Sequence, residues 1–229
     1  MSKPQLLTAC GALILTLLMT SAAQAQSGPV VAEPRTPDAS VHASADTPGS
    51  SDAAPARPLR YLLVGDSMAW AIGLELEPLI EARGDHFTYK SKISASIRGW
   101  SSGKHIREQI KRYKPDAVII VLGTNESQIP YPAHLETPIG RIIDAVGHHA
   151  CYWIGPPTWR GGGADTGVVA LLARADDRCH FFDSMPLDLE RRPDKIHPSR
   201  AGSKAWAEAI LRWLDEHPPT ATQQPIPAP

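Results

Sequence analysis

Residues Tyr61–Trp70 read YLLVGDSMAW. The apolar, strand-like run Tyr61–Val64 stops at a glycine, an acid and a serine. The residues that follow, MAWAIGLELEPLIEARG, carry apolar side chains at helical spacing up to Gly84. Gly65 permits a tight turn that a side chain would obstruct. A buried strand that turns directly into a helix predicts an open parallel α/β sheet, in which ligands bind at the carboxyl ends of the strands. Ser67 then stands just past such an end. It reads in two ways, as a nucleophile at a strand-to-helix turn or as the cap of the helix, because Ser and Asp are the commonest capping residues. This stretch alone leaves both open.

The same alternation recurs along the chain. FTYKSKIS, DAVIIVLG, CYWIGPP and CHFFDS read as further strands. The helix-like segments between and after them are SGKHIREQIKRY, IGRIIDAVG, GVVALLARAD and AGSKAWAEAILRWLDE. Crossovers of this length bury both faces of a sheet, so the predicted fold is a three-layer α/β/α sandwich on a mainly parallel, flavodoxin-like, five-stranded sheet. No internal repeat is visible.

Composition bounds the rest. The chain has 229 residues, with 23 Lys and Arg against 24 Asp and Glu, which suits one domain plus tails and argues against a nucleic-acid or anionic-membrane partner. Residues 1–25 combine Lys3, the apolar LLTACGALILTLLM and the small-residue ending SAAQA, the pattern of a cleaved export signal. The apolar run is short for a stable membrane span. LTAC, ending at Cys10, resembles a lipoprotein box but lies too early in that run. Residues 26–58, rich in Pro, Ala, Ser and Asp, read as a disordered tether, and residues 217–229 as a Pro-rich tail. The folded domain is expected over residues 59–216, in a periplasmic or secreted protein.

Two cysteines remain after signal removal. Cys151 and Cys179 each open a predicted strand, two residues ahead of WIG and FFD. If those strands are parallel neighbours, their first residues lie close enough for a disulfide, which an oxidising compartment favours. Its expected place is the sheet end opposite the site.

Two further blocks reach the carboxyl side. DAVIIVLGTNE sets Asn125 and Glu126 after the third strand, and RRPDKIHPSRAG presents Asp194 three residues before His197. A serine hydroxyl needs a base near neutral pKa, and the base needs a carboxylate to fix its tautomer and stabilise its cation. His197 and Asp194 have the residue types for both roles.

With these blocks the chain resembles the SGNH, or GDSL-type, hydrolases. GDSM supplies Ser67, SIRGWSS supplies Gly99, GTNE supplies Asn125, and DKIH supplies Asp194 and His197, in the family's order over nearly the whole domain. The resemblance implies an esterase with the triad Ser67, Asp194, His197. It also implies an oxyanion hole from the N–H of Ser67, the N–H of Gly99 and the amide of Asn125, with Gly103 a nearby rival to Gly99, and it requires no metal and no cofactor. Two positions depart from the pattern: Met68 replaces leucine and Glu126 replaces aspartate. The second glycine of the α/β-hydrolase elbow is also missing, since Ala69 stands there.

Trp100 and Trp159, and less so Trp70, are candidate sugar-stacking residues at the pocket, against the plainer reading of core or rim packing. Trp206 and Trp213 read as core. The adjacent His148 and His149 are assigned no site. The expected reaction is hydrolysis of a small acyl ester, acetyl on an envelope or extracellular glycan. The alternatives are acyl transfer to a sugar hydroxyl, a lipid-directed esterase, thioesterase or lysophospholipase, and a non-catalytic glycan binder.

Overall fold

A computed structural model describes residues 57–157 and 167–219. The signal-type segment, the tether up to residue 56, Trp159 and the tail from residue 220 lie outside the described residues. Among the described residues five strands form: β1 (Arg60–Gly65), β2 (His86–Ser91), β3 (Ala117–Val121), β4 (Ala150–Ile154) and β5 (Cys179–Phe182). They pair in the order β2-β1-β3-β4-β5, every pair parallel, which is the flavodoxin-like arrangement predicted.

Six α-helices among the described residues cover the sheet: α1 (Ser67–Glu81), α2 (Ile97–Trp100), α3 (Lys104–Tyr113), α4 (Glu136–Val146), α5 (Val168–Arg174) and α6 (Arg200–Glu216). Side-chain alternation divides the core between the two faces. Tyr61 and Leu63 of β1 point toward Met68, Ile72 and Leu76 of α1 and Trp206 and Ile210 of α6. Leu62 and Val64 point the other way, toward Ile97, Ile106 and Ile142 of α2, α3 and α4. Strand β3, AVIIV, is buried throughout because it has neighbours on both edges and helices on both faces.

The close approach of β1 and β3 explains Gly65 better than a turn does. A Cβ on Gly65 would lie 2.0 Å from the Val121 carbonyl oxygen, which accepts the Asp66 N–H at 3.1 Å. Glycine is there for room. From these two adjoining strands the chain departs in opposite directions, β1 leading to β2 on one side and β3 to β4 on the other. Their carboxyl ends therefore flank the switch point of the sheet.

Several details differ from the sequence-based expectation. Strand β2 ends at Ser91, because Lys92 gives its N–H to the Gly65 carbonyl and Ser94 then takes a positive φ of 59° that turns the chain. The one-turn helix α2 was not predicted. At the margins, Arg57 donates to Asp116 at 2.8 Å and the Tyr152 hydroxyl donates to the His217 carbonyl at 2.7 Å, so ordered contacts extend slightly past both ends of the expected domain.

Cys151 and Cys179 are register partners on β4 and β5, and they form a disulfide with a Cα–Cα distance of 4.5 Å. The bond closes the β4–α5–β5 crossover at the amino ends of the strands, away from the carboxyl-side loops. With a sequence separation of 28, a chain-entropy estimate gives about 3–4 kcal/mol of stabilisation. Reduction is expected to lower the melting temperature measured by calorimetry while native oxidised protein shows no free thiol. Two titratable thiols in the native protein would contradict this.

Candidate active site

Ser67 is the first residue of α1, but the capping belongs to its neighbour. Asp66 is the N-cap, and its carboxylate accepts the Met68 N–H at 2.8 Å. The Ser67 hydroxyl is thereby left for other work. Its Oγ lies 2.9 Å from His197 Nε2, and the capping reading of Ser67 falls. The Ser67 N–H is one of the first-turn donors for which a helix has no acceptor of its own.

The loop between β5 and α6 presents the histidine. His197 Nδ1 is 2.9 Å from Asp194 Oδ2, while Asp194 Oδ1 accepts the N–H groups of Ile196 and His197, both at 2.9 Å. Lys195 takes a left-handed φ of 58°, which folds Asp194 back onto His197. Arg192 donates its N–H to the His197 carbonyl at 2.8 Å, and Arg191 Nη1 donates to the Ile196 carbonyl at 2.6 Å. Ser199 caps α6 and donates its N–H to the Glu190 carbonyl. Hydrogen bonds from the N–H of Ile196, the N–H of His197 and then the imidazole hold the Asp194 carboxyl at about 2, below the usual carboxylate range. Asp194 is therefore an anion wherever a neutral imidazole exists to be oriented.

Asn125 follows β3 in a one-turn 3₁₀ segment, Thr124–Glu126. Its Nδ2 donates to the Ala95 carbonyl at 2.8 Å and stands 3.4 Å from Asp66 Oδ2. One amide hydrogen is thus firmly held and the second only weakly engaged. The next residue, Glu126, is buried, and its Oε1 accepts the Ile97 N–H at 2.8 Å. The carboxylate that departs from the family pattern therefore ties the Asn125 loop to α2, and burial pushes its titration upward.

The structure brings Ser67, His197, Asp194 and Asn125 together around the carboxyl ends of β1 and β3. Gly99 is a different case. It lies within α2, and its N–H donates to the Ser96 side chain, the cap of that helix, at 3.0 Å. It presents no free donor. Gly103, the rival, caps α3 with φ 66°, and a Cβ there would meet Ala145 at 2.5 Å.

The tryptophans also need correction. Trp100 is only 6% exposed and packs in the core among residues of α2, α3 and α4, with His105 beside its ring, so it offers no face to a sugar. Trp70, given the least weight, is 43% exposed. Trp206 is fully buried and Trp213 half-buried against Tyr152 and Phe182, as expected for core positions.

Sequence reasoning missed Asp66 as more than part of a motif. It is fully buried, and burial is the main cause that raises its carboxyl to about 7. An unfolded chain loses this proton near pH 4, whereas the folded chain keeps it until about 7. Folding stability therefore falls as pH rises through that window. Asp66→Asn keeps a capping acceptor and removes the titration, so the wild-type urea midpoint is expected to decline from pH 4 to 7 relative to the variant. Parallel midpoint curves for the two proteins would exclude the effect.

No family model and no curated protein matches the chain. Solved structures do. The lipase/acylhydrolase from Enterococcus faecalis superposes with a TM-score of 0.58 and 17% identity, covering 72% of this chain and all of that one. The psychrotrophic esterase EstA from Pseudoalteromonas sp. gives a TM-score of 0.54 and 17% identity over 68% of this chain and 98% of its own. The acetyl xylan esterase AlAXEase gives 0.57 and 13% over 68% of this chain and all of its own. At these identities the likeness establishes the fold alone, an α/β/α sandwich on a parallel five-stranded sheet.

Proposed function

We propose that the chain is a serine esterase of SGNH type that releases a small acyl group, acetyl in the first instance, from a glycan ester outside the cytoplasm. The observation that carries this reading is the relay from Ser67 Oγ through His197 to Asp194, with two contacts of 2.9 Å each. Ser67 attacks the ester carbonyl while His197 Nε2 takes its proton. The imidazolium, stabilised by Asp194, then protonates the departing alcohol. In the second half His197 draws a proton from water, which attacks the acyl-serine and frees the acid.

The oxyanion of each tetrahedral intermediate is assigned to the Ser67 N–H and the second amide hydrogen of Asn125, at the N-terminus of α1, where the helix dipole adds positive potential. Gly99 is left out of the hole because Ser96 holds its N–H. Export is supported by the signal-type residues 1–25 and by the disulfide; no helix among the described residues is long and apolar enough to cross a membrane.

A lipid-directed esterase is the second reading. One observation favours it: Ile93 and Tyr131, 76% and 80% exposed, lie on loops leaving β2 and β3 on the carboxyl side. Two measurements on wild type beside Ser67→Ala separate the readings: acetate release from acetylated glycans, and a chain-length profile on p-nitrophenyl esters. Serine-dependent acetate release with a preference for two carbons supports the first reading, and an optimum at medium or long chains overturns it.

A further inference from the structure

We propose that a cleft lined by chain neighbours of Ser67 and His197 is a subsite for an acidic sugar, a pyranose ring bearing a carboxylate, in the non-reacting part of the substrate. The inference rests on the esterase reading above and specifies its substrate class. The cleft encloses about 320 Å³ between the first halves of α1 and α6, lined by Trp70, Leu74 and Glu75 from one side and Arg192, Arg200 and Ser203 from the other.

Its position ties it to the chemistry. Trp70 and Leu74 follow Ser67 on α1 at intervals of three and seven residues, so they share the nucleophile's side of the helix. Arg192 and Arg200 flank His197 in the chain, and the Arg192 main chain bonds the His197 carbonyl. The cleft is therefore tied to Ser67 and His197 by short covalent spacers and one backbone hydrogen bond.

The lining specifies the ligand. Trp70 is 43% and Leu74 44% exposed, while the buried stripe of α1 runs through Met68, Ile72, Leu76 and Ile80. Trp70 is thus an aromatic ring that the core does not use, and a sugar face stacks on such a ring. The Arg192 guanidinium carbon lies over one face of the Trp70 ring, 5.8 Å from its centroid, so a cation and an aromatic platform are presented together. Arg200 Nε stands 3.7 Å from Glu75, and the arginine side chain is 94% exposed, so its guanidinium is open to a second partner. Two arginines face one glutamate, and the excess positive charge complements a carboxylate, which a planar guanidinium holds in bidentate fashion. A neutral sugar or a plain acyl chain would use the ring and neither arginine.

The test uses Ser67→Ala protein, so that binding is read without turnover. Calorimetric titration with acetylated oligogalacturonate is expected to show at least tenfold tighter binding than with acetylated xylo-oligosaccharide. That preference should shrink as salt is raised. Adding Arg192→Met or Trp70→Ala should weaken uronate binding fivefold or more. Adding Glu75→Gln should strengthen it, a gain that misfolding cannot produce. Equal affinity for the charged and neutral oligosaccharides, or variants that leave uronate affinity unchanged, overturns the subsite. Wild-type hydrolysis of p-nitrophenyl acetate, run in parallel, separates the two levels. Turnover without a uronate preference refutes the cleft alone, and uronate binding without turnover of any ester refutes the esterase reading.

Discussion

Ser67→Ala and His197→Ala are each expected to lower kcat for ester hydrolysis by about 10⁴-fold or more, with the double variant little worse than either single. The reason is the shared proton. Ser67 Oγ and His197 Nε2 meet at 2.9 Å, and a neutral serine hydroxyl without that base is scarcely nucleophilic. Removing the base leaves the nucleophile idle, and removing the nucleophile leaves the base nothing to deprotonate. Losses that multiplied in the double variant would mean that the two residues act in separate steps. Thermal melts should place the single variants near wild type, because neither side chain belongs to the two core clusters.

Asn125→Ala should reduce kcat by about 100-fold or more with a much smaller change in KM, the usual consequence of losing one oxyanion donor. Charge on the carbonyl oxygen develops only in the transition state, so an amide matched to that charge contributes little to ground-state binding. The substitution also releases the Ala95 carbonyl from its 2.8 Å hydrogen bond. A melting curve must therefore accompany the kinetics, to distinguish loss of the donor from loosening of the loop after β2. A raised KM with kcat intact would make Asn125 a substrate-binding residue and remove it from the hole.

The parallel, three-layer character of the fold was legible because each strand is a short apolar run and each crossover has helical spacing. Those signals survive in a single sequence. The meeting of Ser67, His197 and Asp194 was legible because these residues fall at the ends of such runs, in blocks of recognisable type. Helix α2 was not: four residues are too few for a period to show, and Gly99 at its third position argues against helix. Trp100 was misread for the same reason, since only the turn of α2 directs its ring inward. A signal for Trp70 did exist. With Met68, Ile72, Leu76 and Ile80 spaced four apart and all buried, position 70 had to face outward, and a tryptophan on the solvent side of the nucleophile's helix is a binding candidate. Asp66 was read as half of a motif because burial of a carboxylate is a tertiary fact. It follows from Val121, Ala95 and Asn125 closing around the turn, and none of them is near it in sequence.

Ser67 follows the first strand of the fold, and His197 precedes the last helix, 130 residues later. Synthesis therefore delivers the serine early and the histidine last. A nascent or refolding chain that has already paired β1 through β5 still carries an inert hydroxyl. The base arrives only when the final loop closes and α6 docks on α1, a long-range closure of the kind that forms late. Under the proposed export and esterase reading, this order is a built-in delay: a chain completing its folding outside the cytoplasm has no Ser67–His197 contact until the last helix settles.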